Sequence, residues 1–198
     1  PLLELRAYAG KEGLRREKPV FKTIALSVAG LLVVAIAGVL IFAATQPDTF
    51  RVQRTASVKA PPEKIFALIN DLRGWASWSP YEAKDPAMKR TFSGPPGGVG
   101  AVYAWQGNSE VGEGRMEVIQ TTPPGRIVIK LDFLKPFEAH NTAEFTMEPK
   151  AGATDVTWAI YGPCPYISKV MGVVFNMDTM IGKDFEIGLA SLKALAEK

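Results

Sequence analysis

Hydrophobic and polar positions divide the chain into one uninterrupted apolar segment and a longer region in which the two classes alternate. The segment from Thr23 to Thr45 holds 23 residues without a charged side chain. As an α-helix it would be ~34 Å long, which is enough to cross a hydrocarbon core of ~30 Å. The pattern predicts a single transmembrane helix over 23–45, with a basic tail over 1–22 before it and a linker over 46–49 after it.

A cleaved signal peptide is the alternative interpretation of this segment. Signal peptides have an apolar core of only about 7–15 residues behind a short basic leader. Here the apolar core is longer, and 22 residues precede it. We therefore expect an uncleaved, single-pass membrane anchor.

The charges that flank the span predict its orientation. Basic residues are more numerous before the span than after it, namely Arg15, Arg16, Lys18 and Lys22 against Arg51 and Arg54. Positively charged flanks stay on the cytoplasmic side of a membrane. We expect a cytoplasmic N-terminus and an extracytoplasmic C-terminal domain, which would be periplasmic in a bacterium.

Beyond the linker, the pattern changes to alternation with a period of two, typical of half-buried strands. Gly- and Pro-rich turns separate the predicted strands, which are 50–58, 88–93, 99–106, 114–121, 126–134, 139–147 and 154–161. Pro61 and Pro62 precede a helical period that runs from Ile65 to Leu72. The last segment steps by three or four from Val170 to Leu195, which predicts an amphipathic helix with room for a break at 176–178.

This order of elements, a strand, a helix, an antiparallel meander and a long C-terminal helix, predicts an α+β domain over 50–198. The same region resembles the START-like helix-grip proteins, or SRPBCC superfamily, and most closely their polyketide cyclase/dehydrase branch. The resemblance lies in APPEKIFALINDLRGWASWSP (60–80), GPPGGVGAVYAW (94–105), EGRMEV (113–118), FEAHNTAEF (137–145) and GKDFEIGLASL (182–192). It implies a curved antiparallel sheet that wraps around the long C-terminal helix and encloses an apolar cavity.

Composition excludes several classes of function. One cysteine and one histidine rule out an internal disulfide and a structural Cys/His zinc site. Beyond residue 46 the net charge is zero, so the domain has no cationic footprint for nucleic acid. We expect no metal and no cofactor, and a monomer by default. The run Gly97–Gly100 precedes a strand rather than a helix, so it indicates a hairpin turn rather than a phosphate-binding loop.

Alternation brings a set of large apolar side chains to the inner face of the predicted sheet and helix. Together with the aromatic residues that follow the second helix, they are the predicted ligand-cavity residues: Trp75, Trp78, Tyr81, Tyr103, Trp105, Leu131, Phe133, Trp158, Met177, Ile181 and Phe185. A packed core has the same composition as an apolar pocket. The resemblance favours the pocket.

Four side chains are weak candidates for acid–base chemistry. Glu82 and Asp85 follow the aromatic cluster. If either carboxyl group lay in an apolar pocket, its pKa would be raised and it could serve as an acid or base; if it were solvated, its pKa would not be raised. His140 is the only imidazole, but alternation turns it toward solvent with the polar face of its strand. Tyr103 or Tyr81 would stabilise an oxyanion if a carbonyl compound were bound.

The sequence thus predicts a membrane-anchored START-like domain that binds a hydrophobic small molecule or lipid without covalent chemistry. The first alternative is a cyclase or dehydratase that uses a cavity carboxylate or His140 as acid and base. The second alternative is a protein-interaction module, which would need an exposed apolar patch. No set of nucleophile, base and orienting residue is visible in the sequence, so whether the chain is an enzyme stays open.

Overall fold

The computed structural model describes the chain from Lys18 to Lys198, apart from the side chains of residues 18–20 and 174. Most of the predicted basic tail over 1–22 therefore lies outside the described residues. The chain divides into two compact units at residues 46 and 47. The described part of the first unit is a helix, α1, from Lys18 to Ala44, and its segment Phe21–Ala44 is long and apolar enough to cross a membrane.

The second unit is a seven-stranded antiparallel sheet with helices beside it, in the spatial order β1-β7-β6-β5-β4-β3-β2. The strands are β1 Thr49–Val58, β2 Lys89–Ser93, β3 Val102–Gln106, β4 Glu113–Thr122, β5 Arg126–Lys135, β6 Ala139–Lys150 and β7 Ala153–Pro163. The helices are α2 Pro62–Asn70, a 3₁₀ turn Leu72–Ser77, α3 Pro80–Lys84, α4 Tyr166–Val174 and α5 Met177–Ala196. This architecture confirms the predicted α+β helix-grip fold with an apolar helix before it.

The strand boundaries agree with the predicted ones within two residues, except at the end of β6, which continues three residues past 147, and at the start of β3. The strand predicted to start at residue 99 begins at Val102, because Gly98 and Gly100 adopt positive φ angles of 78° and 87°. Only glycine takes such angles without strain, so the chain turns there before it can extend. The glycine run is a hairpin turn, as predicted.

The C-terminal periodic segment forms two helices rather than one. The helical conformation is interrupted at Phe175 and Asn176. There the side-chain oxygen of Asn176 accepts a hydrogen bond of 3.0 Å from the backbone N–H of Thr179. This bond satisfies one of the free donors at the start of α5 and ends the helical run before it. The break occurs where the sequence left room for it.

Helix α5 is held against β1 by charge as well as by packing. The guanidinium of Arg54 donates at 2.9 Å to the carboxylates of both Asp178 and Glu186. A Cβ at Gly182 would collide with that guanidinium, so a larger residue there would displace Arg54 from its two carboxylate partners. Arg54 therefore lies on the inner face of β1, with Val52 and Val58, and links that face to α5.

Strand register defines the two ends of the sheet. Thr49 pairs with Pro163, Tyr161 pairs with Thr142, and the β5–β6 hairpin lies beside them. Lys135 pairs with Glu113, which in turn pairs with Gln106. The start of β1, the end of β7 and the loops β5–β6 and β3–β4 therefore share one end of the sheet, which we call the leading end.

Candidate ligand-binding site

An apolar cavity of about 140 Å³ lies between the inner face of the sheet, α3 and α5. Eight of the predicted cavity residues line it: Trp75, Tyr81, Tyr103, Trp105, Leu131, Phe133, Trp158 and Phe185. They come from the 3₁₀ turn, α3, three strands and α5. The fold thus brings together side chains that are far apart in the sequence.

Three other predicted residues do not reach the cavity. Trp78 is buried, but it packs against Trp75 with a centroid separation of 4.8 Å and belongs to the surrounding core. Ile181 packs against the core from α5 and is only partly buried. Met177 is 40% exposed because it is the first residue of α5, where the helix projects past the core.

The wall formed by α5 is tightly packed. The rings of Trp158 and Phe185 are stacked at 4.1 Å with an angle of 9° between their planes. One turn later, Gly188 faces the same indole, and a Cβ there would lie 2.7 Å from Cζ3 of Trp158. The close approach of α5 to β7 therefore depends on a residue without a side chain at this point.

The opposite wall is shaped by Trp105 on β3. Its indole N–H donates to the backbone oxygen of Val111 at 3.0 Å, which fixes the orientation of the ring. Gly114, its partner on β4, leaves the space that the ring occupies, and a Cβ there would overlap the indole. Trp105 consequently lies across β4 and meets Phe133 of β5 edge to face at 5.9 Å.

One buried carboxylate interrupts the apolar lining. Glu82 of α3 is only 8% exposed, and its two oxygens accept hydrogen bonds from the Tyr103 hydroxyl at 2.6 Å and from Nε of Arg90 at 2.7 Å. Burial, and next the hydrogen bond to Glu82, raises the pKa of the Tyr103 phenol, so that it stays a donor. A carboxylate has about four acceptor sites. The hydrogen bonds from Tyr103 and Arg90 therefore occupy two of the acceptor sites of Glu82.

Arg90 is the functional residue that sequence reasoning missed. It alternates with exposed neighbours on β2 and shares its face with Phe92, which indicates an inward position. An inward guanidinium needs a buried acceptor, so this alternation was a signal that a carboxylate lay opposite. Met88 and Met116 also line the cavity and were not predicted.

The other two acid–base candidates lie outside the cavity lining. The side chain of His140 is 61% exposed on the outer face, where Nδ1 lies 2.7 Å from an oxygen of its cross-strand neighbour Asp132. This hydrogen bond raises the pKa of His140 above its ordinary value of 6.5. Asp85 accepts from the backbone N–H of Asn108 at 2.7 Å, a structural bond that holds the β3–β4 loop.

The cavity opens toward the leading end of the sheet. Its partly exposed lining residues include Glu110 and Val111 of the β3–β4 loop and Leu131 and Phe133 of β5. These side chains form the mouth of the cavity, whereas Glu82 and Tyr103 lie inside it. Among residues 18–198, no three His, Cys, Asp or Glu side chains are grouped as a metal site would require.

Comparison with known proteins identifies a family and several structures of the same fold. The family model described as "Polyketide cyclase / dehydrase and lipid transport" matches residues 49–197. No curated protein sequence matches the chain.

Three solved structures illustrate the likeness of fold. Protein CV1439 from Chromobacterium violaceum is 18% identical with a TM-score of 0.54, over 77% of this chain and 99% of that one. The Aha1 dimer from Colwellia psychrerythraea is 18% identical with a TM-score of 0.51, over 75% and 96%. The di-domain ARO/CYC BexL from the BE-7585A biosynthetic pathway is 16% identical with a TM-score of 0.55, over 90% and 60%. At such identities the likeness shows the fold alone.

Proposed function

The chain belongs to the polyketide cyclase/dehydrase and lipid transport family, and on that premise we propose that its domain binds a hydrophobic small molecule or lipid in the cavity. The observation that supports this most directly is the cavity itself, which is walled by aromatic rings and has a mouth at the leading end. If side chains had filled this space, the domain would be a packed scaffold without a ligand site. Removal of apolar ligand surface from water is the driving force for binding in such a space.

The size of the cavity limits what it encloses. A volume of about 140 Å³ is close to that of an engineered apolar cavity of ~150 Å³ that holds one benzene ring. Pockets for drug-sized ligands are larger, about 300–1,000 Å³. The cavity therefore encloses one ring or a short chain. A larger ligand extends through the mouth or displaces the flexible side chains of Met88 and Met116.

The Glu82–Tyr103 pair gives the ligand a preferred polarity. A ligand hydroxyl at the inner end of the cavity donates to a free acceptor site of the Glu82 carboxylate, and its ring or chain contacts the aromatic walls. Hydrogen bonds to charged groups contribute about 1.5–3 kcal/mol each. The ligand is accordingly a ring or chain that bears a hydroxyl group.

Helix α1 serves in this proposal as an uncleaved membrane anchor. Its length and uncharged composition support the span, and the basic residues before it support a cytoplasmic N-terminus. A reporter fused after Lys198, active only outside the cytoplasm, tests the orientation. Activity inside the cytoplasm would overturn the orientation and leave the ligand site unaffected.

Binding of p-cresol and toluene to the full chain in detergent tests the ligand site. Both molecules match the cavity in size, and only p-cresol has a hydroxyl. We expect both to bind saturably, as measured by tryptophan fluorescence, and p-cresol to bind more tightly. Glu82→Gln should weaken p-cresol binding about tenfold, or ~1.4 kcal/mol, while toluene binding is unchanged.

Glu144→Gln is the matched control for this experiment. Glu144 is a largely buried carboxylate that also binds an arginine, Arg126 at 2.5 Å, but it lies on the outer face of the sheet. Its substitution should change neither affinity. Absence of saturable binding of either molecule to the wild-type chain would remove the ligand-binding proposal.

The cyclase or dehydratase alternative is favoured by one observation, the presence of Glu82 and Tyr103 side by side in the cavity. The single proton of the Tyr103 hydroxyl, which Glu82 accepts in this structure, would be donated instead to the oxygen of a ligand carbonyl as negative charge develops on it. The Glu82 oxygen released in this way would remove a proton beside that carbonyl. Turnover of a β-keto aromatic precursor by the full chain, abolished in Glu82→Gln, would establish this activity. Binding without turnover would support the ligand-binding function over the enzyme.

A further inference from the structure

Exposed apolar side chains of the second unit gather at the leading end of the sheet. Leu134, near the end of β5, is about half exposed, and Phe137 in the β5–β6 loop is 80% exposed. On α4, Ile167 is 67% exposed and Met171 is about half exposed. Phe175, between α4 and α5, is 50% exposed. These residues form a set that we call the apolar rim: Leu134, Phe137, Ile167, Met171 and Phe175.

Large apolar side chains in such numbers at one end of a soluble domain mark an interaction surface. The opposite end of the sheet differs, because the large exposed apolar residues that the structure describes near it are only two, Val99 and Ile119. The mouth of the cavity, with Leu131 and Phe133, also opens at the leading end. The rim and the mouth are therefore parts of the same surface.

The covalent connection between α1 and β1 is short. Four residues lie between Ala44 and Thr49, which makes five Cα–Cα steps. An extended chain covers at most about 3.5 Å per step, so the Cα of Thr49 stays within about 18 Å of the Cα of Ala44. Helix α4 is held to the same segment, since Nζ of Lys169 lies 2.6 Å from Asp48 and the N–H of Cys164 donates to the oxygen of Asp48 at 2.7 Å. With α1 as the membrane anchor of the proposed function, this covalent connection limits how far the start of β1 can lie from the membrane.

We propose that the apolar rim docks into the surface of the lipid bilayer in which α1 is anchored, so that ligands pass between bilayer and cavity through the mouth. The proposal rests on the membrane anchor of the proposed function. Residues beyond 46 have a net charge of zero, so attraction to anionic headgroups does not drive docking. Burial of apolar side chains drives it, and it is insensitive to salt and works on neutral lipid.

Site-specific fluorescence in nanodiscs tests the docking. The full chain carries one cysteine, so Cys164→Ser gives a background for single reporters. Phe137→Cys and Ile167→Cys place an environment-sensitive NBD label in the rim, and Val99→Cys and Ile119→Cys place matched labels at the opposite end. In phosphatidylcholine nanodiscs, nitroxide-labelled lipid should quench the rim labels at least threefold more than the control labels, at low and high salt alike.

Each outcome of this experiment separates the docking from the anchor and from the ligand site. If the chain enters the nanodiscs and all four labels are quenched equally little, docking is overturned and the anchor stands. If the chain does not enter the nanodiscs, the anchor fails and docking fails with it. If the rim labels become shielded in detergent as protein concentration rises, a second copy of the chain covers the rim and lipid docking is overturned.

A second measurement connects docking to ligand transfer. The double variant Phe137→Asp with Ile167→Asp should slow the uptake of a fluorescent phenol from nanodiscs about tenfold, because it places two charged, hydrated side chains in the apolar rim. Its affinity for p-cresol in detergent should equal that of the wild type, since neither residue lines the cavity. Unchanged uptake with unchanged affinity would overturn the proposed route.

Discussion

Replacement of Phe185 by alanine should enlarge the cavity by about one ring and create a site for a two-ring ligand. Phe185 is 2% exposed, lines the cavity and is stacked on Trp158 at 4.1 Å. Phe→Ala substitutions in cores cost about 3–5 kcal/mol of unfolding free energy. For a domain of this size each kcal/mol shifts Tm by about 2–4 °C, so Tm should fall by about 6–20 °C.

Naphthalene should reverse much of that loss. A guest present at 100 times its Kd stabilises the native state by about 2.7 kcal/mol, which corresponds to a rise in Tm of about 5–11 °C. Wild-type protein should gain less, because its cavity of about 140 Å³ encloses only one ring. The four tryptophans are at 75, 78, 105 and 158, so their fluorescence reports melting of the domain and not of α1.

Leu189→Ala is the matched control for Phe185→Ala. Leu189 is equally buried and lies one turn further along α5, but it does not line the cavity. Leu→Ala substitutions in cores cost about 2–5 kcal/mol of unfolding free energy, so Leu189→Ala should lower Tm about as much as Phe185→Ala does. It should not create space for a two-ring ligand. If naphthalene raised the Tm of both variants equally, or of neither, the cavity would not extend to Phe185 and the assignment of the α5 wall would be refuted.

Two further predictions concern packing and pH. Gly188→Ala should destabilise the domain by about 1–3 kcal/mol in urea unfolding, because the new Cβ would meet Trp158. Gly172→Ala, which has open space around it, is the control and should be neutral or slightly stabilising. Equal effects of the two substitutions would contradict the close approach of α5. His140 has a raised pKa in the folded state because of Asp132, so it stabilises the protein below the unfolded value near 6.5 and the contribution disappears as pH rises through the folded pKa. The stability difference between wild type and His140→Ala should therefore be present at pH 5 and absent at pH 9, and an NMR titration that placed the pKa at or below 6.5 would contradict it.

The fold was accessible from the sequence because its strands bury one face each. Alternation places Tyr103 and Trp105 on the inner face of β3 and His140 on the outer face of β6, and the structure has them there. The apolar helix expected over 23–45 needs no tertiary information either, since length and composition alone predict a helix long enough to cross a membrane. These features depend on periods within single segments.

Which of the predicted residues line the cavity depends on where each helix or strand ends and on which other elements it packs against. Met177 continues the apolar stripe of α5, yet it is exposed because the helix begins there, beyond the cover of the core. Trp78 differs from Trp75 only by one turn of 3₁₀ geometry, and that turn places it in the core instead of the cavity wall. No local pattern contains this information.

Sequence alone determined the class of α1, of α2, of the seven strands and of the C-terminal helical segment, the inward and outward faces of the strands, and the resemblance to a helix-grip family, because each of these follows from local periodicity and short motifs. It did not predict the 3₁₀ turn or α3. Tertiary structure decided that Glu82 is buried, since its partners Arg90 and Tyr103 come from two strands that only the folded sheet brings to α3. It also decided the size of the cavity and the end at which it opens. Those properties arise from the spacing between packed elements, and burial of a charge is tolerated only where the fold supplies partners for it.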